Sequence, residues 1–594
     1  MKFLKYVFAS ALGTMLAGAL LLVILFGLII GSITAAMDDF ANQKSAHIQD
    51  NSVLTLQFEY PISERAPKDE MSFPGFSNKQ NGLNQIIENI EKAKEDDKIE
   101  GIFLNISGIS AGMASVETIR NSLVDFKSSG KWILAYSEYY TQNAYYLATA
   151  ADEIYLNPKG IIDFKGINYQ PMFMKDLFDK VGIEMQIVRG KNNSFKSAVE
   201  PFMYNEMSES NRAQSTLLIS SLWDHVVNEI AAARGIPVDK VNAFADEFTG
   251  LIAKEVEGTG FIDGLVYHDE MEKILAEKLA IDELDDDLLV SLDSYAKTKG
   301  KKSSVGDYKK SKVAVIYAVG EIMGGEGDDE TIGSVRLAEA IREARKDSSI
   351  KAIVLRVNSP GGAALATDVI WRETFLASEE KPLVVSMGDY ATSGGYYIAV
   401  EADRIYAEPN TITGSIGVFG VIPNAQVLLN DKLGINFDGV KTNKHADLFD
   451  LSKPLSSDEY NLFQRGIDQT YDTFVSRVAL GRDLRQSFVD SIGQGRVWTG
   501  LSAVENGLVD EIGSLNDAIV YAAELAGLES YRIKELPHQK SPLEQLMADF
   551  GVEASQKMME MKLDDYKLLQ QYKYIQSMLD MKGVQAMLPV RISF

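Results

Sequence analysis

The feature that most constrains this chain is an imperfect internal repeat with an offset of 251 residues. Ala144-Tyr145-Tyr146 and Ala151-Asp152-Glu153-Ile154-Tyr155-Leu156-Asn157-Pro158 return as Gly395-Tyr396-Tyr397 and Ala402-Asp403-Arg404-Ile405-Tyr406-Ala407-Glu408-Pro409. The same offset holds at every paired position of both stretches, which is the mark of duplication, so the two halves share one fold. They diverge just before the tyrosine pair, where the second copy has Ser393-Gly394 and the first has Gln142-Asn143. One half carries reactive side chains; the other reads as a scaffold that lends single residues to it.

The order of elements gives the fold class. Val53 to Phe58 reads as a strand, Asn84 to Asp97 as a helix, and Ile99 to Ile106 and Lys131 to Tyr136 as further strands. That alternation is the signature of a right-handed βαβ array. The second copy repeats it with strand Lys312 to Tyr317, helix Thr331 to Arg345, and strands Ile350 to Val357 and Pro382 to Ser386. Gly507-Leu508-Val509-Asp510 echoes Gly260-Phe261-Ile262-Asp263 near the end of each copy. Ala296 to Ser311, rich in Lys, Ser and Gly, is the best boundary. The expected organisation is therefore 1–50 (stub, anchor and linker), 51–295 (first repeat), 296–311 (linker), 312–540 (second repeat) and 541–594 (a helical, Met-rich tail). The methionines from Met547 to Met587 are read as core filling or oligomer contact.

No residue from Tyr6 to Ala36 is charged, Lys2 and Lys5 precede the run, and Asp38 and Asp39 follow it. About 20 apolar residues suffice to cross a bilayer, and flanking lysines favour the cytoplasmic side. A single transmembrane helix with everything after it exported is expected; a cleaved export signal is the alternative.

A net charge of −25 speaks against nucleic acid or an anionic lipid surface as partner. The absence of cysteine excludes disulfides, thiolate metal sites and cysteine nucleophiles, and the five histidines are not spaced like a metal cluster. No metal or organic cofactor is expected.

Two motifs could carry chemistry. Asn358-Ser359-Pro360-Gly361-Gly362 follows an apolar strand, and consecutive glycines there let backbone N–H groups converge on an anion, though Pro-Gly-Gly also simply turns a chain. Ala391-Thr392-Ser393-Gly394-Gly395-Tyr396-Tyr397 follows the next strand. Ser393 there is either a helix cap or a nucleophile, and the surrounding residues are not a Gly-x-Ser-x-Gly elbow. With no histidine nearby in sequence, a lysine kept neutral by burial becomes the candidate base. Lys196, in Phe195-Lys196-Ser197-Ala198-Val199-Glu200-Pro201-Phe202, is one choice; the spacing does not select it over Lys191 or other lysines. In the second copy its counterpart falls at Asp447, or at Lys444 if a small gap intervenes.

These motifs, with Thr413-Gly414-Ser415-Ile416-Gly417-Val418, resemble the long, duplicated form of the signal peptide peptidase A (protease IV) family, peptidase family S49, and the likeness runs through both repeats. The resemblance implies tandem crotonase/Clp-protease-like α/β domains after one transmembrane helix. Carried over, it makes Ser393 the nucleophile, Lys196 the general base, Gly362 an oxyanion-hole backbone donor, and Ser415 a partner or proton relay for the lysine. It also implies a serine endopeptidase in the bacterial inner membrane with its catalytic domain on the periplasmic side. The implied substrates are cleaved signal peptides and other short apolar peptides, and the implied assembly is a homotetramer. Two rivals remain: a crotonase-like acyl-CoA enzyme and a non-catalytic membrane scaffold.

Overall fold

The computed structural model describes residues 48–66, 81–298, 311–539 and 583–587, together with helical positions at Gly13 and Gly18. No helix among the described residues is long and apolar enough to cross a membrane. The expected anchor lies outside them, as do most of the 296–311 linker and most of the Met-rich tail.

Each half builds a sheet of parallel strands. In the first the spatial order is Gly264–Leu265, Glu153–Asp163, Trp132–Thr141, Ile99–Asn105, Ser52–Leu56 and Leu289–Ser291. In the second it is Val497–Thr499, Ile412–Gly414, Leu383–Thr392, Ile350–Ser359, Lys312–Val319 and Arg532–Leu536, with Arg404–Ala407 also pairing Leu383–Thr392; Val497–Thr499 alone runs antiparallel to its neighbour. The equivalence extends to single hydrogen bonds. Tyr145 donates to the Phe261 carbonyl and Tyr396 to the Leu508 carbonyl, both at 2.8 Å. Asp263 accepts from the Ile154 amide and Asp510 from the Ile405 amide, both at 2.7 Å. The Gly-x-x-Asp echo thus marks the segment that ties each repeated tyrosine and each repeated strand into its own core.

The strands read as near-continuous apolar runs because helices cover both faces. Ile350–Ser359 is buried at nearly every position. Leu83–Glu95 packs on its sheet through Leu83, Ile86, Ile90 and Ala93, and Ser334–Lys346 through Leu337, Ala338, Ile341 and Ala344. Those spacings of three and four put one apolar stripe on each helix. Glu209–Arg234 is a 26-residue helix whose first turn is capped by the Ser208 side chain, which accepts from the Asn211 amide, and which ends at Gly235 in the left-handed region.

The structure departs from the sequence reading at two elements. The segment expected to open a helix at Thr331 begins as a short strand, Thr331–Gly333, before the helix starts at Ser334. Gly583–Met587, expected to be part of a helical tail, is a strand. It joins a third, mixed sheet whose order is Thr331–Gly333, Glu321–Met323, Gly361–Ala363, Gly583–Met587, Phe419–Asn424 and Glu184–Arg189, so this sheet draws on both halves.

The halves are locked together by buried polar groups. Arg356 donates from Nε and Nη2 to the two oxygens of Glu64, at 2.9 and 3.2 Å, and Asn358 donates to the same carboxylate at 2.8 Å. Asp389 accepts from the Ser115 amide at 2.9 Å and its hydroxyl at 2.7 Å, at the first turn of helix Met113–Phe126. Thr118 donates to Glu408 at 2.8 Å. A buried charge that is paired and fully hydrogen-bonded fixes geometry, because separating the partners strands a charge out of water.

Candidate active site

Leu383–Thr392 delivers its next residue, Ser393, into the junction between the halves. Ser393 has φ 53° and ψ −112°, a conformation uncommon for a residue with a side chain. It occupies the capping position of the short helix Gly394–Tyr397, yet its side chain makes no capping bond. In the first copy the corresponding helix, Gln142–Ala148, has an ordinary cap, with Thr141 accepting from the Ala144 amide. The Ser393 hydroxyl points elsewhere: Lys196 Nζ lies 2.9 Å from Oγ, and the Gly417 carbonyl lies 3.4 Å from it. Local strain held by surrounding structure is a recurrent property of reacting groups.

Lys196 crosses from the first half. It is 1% exposed, and burial alone drives its pKa well below the ordinary lysine value, with no carboxylate contributing. Its amine reaches Ser393 Oγ, the Ser415 carbonyl at 3.0 Å and Ser415 Oγ at 3.0 Å. Ser415, buried and at φ 52°, comes from the turn after Ile412–Gly414. A neutral amine among three oxygens in a dry site can accept a proton from a hydroxyl and pass it on.

The backbone around Lys196 is clamped by residues that the sequence reading did not single out. Arg189 donates to the carbonyls of Asn193 and Lys196 at 2.7 and 3.1 Å, and Gln214 donates to the Phe195 carbonyl at 2.8 Å. The Arg496 guanidinium stacks 3.8 Å above the Phe195 ring. Gly495, at φ 83°, packs directly against the Lys196 backbone. None of these contacts has a local sequence signal, since each joins segments brought together only by folding.

Gly362 lies in the strand Gly361–Ala363, and a Cβ there would overlap the Ile322 carbonyl of the neighbouring strand, so glycine is needed for that approach. The turn before it is held by Ser359, whose hydroxyl donates to the Gly320 carbonyl at 2.6 Å and accepts from the Gly361 amide at 3.1 Å. It sits beside the helix that Ser393 begins: a Cβ on Gly395 would meet the Ser359 carbonyl at 2.8 Å. Of the other lysines considered, Lys191 pairs with Asp472 in a half-exposed contact, and Lys444 pairs with Asp458 on the surface. The first-copy counterpart of Ser393, Gln142, accepts from the Gly166 amide at 3.0 Å.

Residues 125–282 and 376–529, one stretch in each half, match the model of Peptidase family S49. The chain belongs to peptidase family S49. Among S49 relatives it is 34% identical to Protease 4 of Haemophilus influenzae over 81% of this chain and 77% of that one. It is also 34% identical to the chloroplastic serine protease SPPA of Arabidopsis thaliana over 85% of this chain and 74% of that one. Among solved structures, a point mutant of ClpP1 from Listeria monocytogenes aligns at 15% identity with a TM-score of 0.24, covering 34% of this chain and 94% of that one, too slight a likeness to bear on fold.

Proposed function

We propose that this S49 chain is a serine endopeptidase in which Ser393 is the nucleophile and Lys196 its general base, each supplied by a different half. The observation that carries this reading is the 2.9 Å approach of a fully buried, neutral lysine to a serine hydroxyl. Lys196 Nζ takes the hydroxyl proton as Ser393 Oγ attacks the peptide carbonyl. The developing oxyanion is received by backbone N–H groups at Gly362. Lys196, now an ammonium steadied by Ser415 Oγ and the Ser415 carbonyl, gives the proton to the leaving amine. It then draws a proton from water as the acyl-enzyme is hydrolysed, which returns the serine and frees the new carboxylate.

The substrate class we assign is short, extended, apolar peptide, including remnants of cleaved signal peptides, met on the exported side of a membrane by a chain held there through Tyr6 to Ala36. A crotonase/Clp-protease-like ancestry of each half and a tetrameric assembly belong to the same reading. The test is turnover of a short apolar fluorogenic peptide by the detergent-solubilised chain together with labelling by a serine-directed acylating probe. Labelling and turnover that both vanish in Ser393→Ala support the peptidase. Thioester hydrolysis without labelling at Ser393 would replace it with an acyl-CoA enzyme.

A further inference from the structure

Gly361–Ala363 and Phe419–Asn424 belong to one sheet but do not pair with each other. Between them runs Gly583–Met587, antiparallel to both. Neighbouring strands are about 4.8 Å apart, so these two edges face one another across about 10 Å, the width of one extended chain.

The register aims this strand at the reaction centre. Gly583 lies opposite Val421, Gln585 opposite both Phe419 and Ala363, and Met587 opposite Gly361. From Gly583 to Met587 the chain therefore travels toward the glycine turn on one side. On the other it travels toward Gly417, whose carbonyl lies 3.4 Å from Ser393 Oγ. Gln585 is 5% exposed, so the strand is seated between its neighbours and not laid over them. A peptide offered to Ser393 would need this same path, because two strand edges supply main-chain hydrogen bonds to any extended backbone.

We propose that Gly583–Met587 is a tethered competitor occupying the peptide cleft of its own chain, and that substrates enter as the middle strand in its place. The cleft's role in turnover rests on the peptidase reading above, whereas its occupation by the tail does not. A tethered segment is present at an effective concentration of about 1 mM, so a strand of about 0.1 mM intrinsic affinity would depress turnover about tenfold.

The experiment keeps the full chain and places prolines in the tail, Val584→Pro with Ala586→Pro, since proline lacks an N–H and is excluded from a strand paired on both sides. The double variant should turn over a short apolar peptide with kcat/KM about tenfold above wild type. A synthetic peptide spanning Gly583 to Met587 should inhibit it competitively and inhibit wild type about tenfold less well. Equal kcat/KM in the two full-length chains, with equal inhibition, overturns the proposal. If neither chain hydrolyses peptide, the peptidase reading fails, and the tail is then judged by binding alone. The fluorescent tail peptide should bind the double variant about tenfold tighter than wild type, and equal binding overturns the proposal.

Discussion

Gly495 lies so close to Lys196 that a methyl group on it would sit 2.6 Å from the Lys196 backbone nitrogen. The positive φ of 83° adds backbone strain to any side chain there. Gly495→Ala must therefore push the lysine away from Ser393. A shift of about 1 Å in a reacting group costs about 100-fold in rate, and kcat/KM should fall by at least that much. Peptide turnover by the folded variant within a fewfold of wild type would mean that the lysine segment yields more than its packing suggests.

Removing either member of the pair should abolish turnover. Ser393→Ala and Lys196→Ala should each lose at least about 1,000-fold in kcat while keeping wild-type circular dichroism and elution volume. Lys196→Arg should not rescue, because a guanidinium stays protonated and cannot take the serine proton. Retained hydrolysis by any of the three purified variants would dismiss the dyad.

Burial holds Lys196 well below the ordinary lysine range of about 10.4. The base works only when neutral, so kcat/KM should rise with pH through this lowered pKa and then level off. Ser415 Oγ accepts from the amine at 3.0 Å and so favours the protonated form. Ser415→Ala should move the rising limb to still lower pH and lower the plateau by about 10-fold to 100-fold. A limb that stays in place, or moves upward, would remove Ser415 from contact with the titrating amine in the working enzyme.

Glu408 offers a readout of stability independent of catalysis. Burial pushes its carboxyl up to about 7, against the bond from Thr118. In the unfolded chain the group titrates near about 4.3, so between those values the folded state binds more protons and stability falls as pH rises. Glu408→Gln removes that cost. Its melting temperature should match wild type near pH 4 and exceed it at pH 8, with a stability difference of up to about 3 kcal/mol at pH 8. The opposite trend in thermal melts would show that the carboxylate is favourably paired in the fold.

The alternation of strands and helices was legible because it is written locally. The expected strands Lys312 to Tyr317 and Ile350 to Val357 lie within the observed Lys312–Val319 and Ile350–Ser359, and the repeat carried one half's reading to the other. Ser393 stood out among glycines, but its neighbours alone left a cap and a nucleophile equally open; the absence of a capping bond and the positive φ are properties of the folded turn. Lys196 was named through family resemblance, not spacing, because its partner lies 197 positions away. Gly583–Met587 was misread because composition spoke for a helix, while its conformation is set by two open strand edges distant in sequence. Arg189, Gln214, Gly495 and Arg496 were invisible for the same reason: each acts through a contact made only in the folded molecule.

The division of the reacting pair between the two copies has a consequence for heredity. Lys196 and Ser393 lie in different copies, while the first copy has Gln142 at the serine's position. Recombination that exchanged one half for a diverged relative would separate a base from the nucleophile it had co-evolved to meet. Loss of either half would leave no ancestor-like single-copy enzyme behind. The duplication, once each copy had surrendered one role, could be refined by descent but no longer undone.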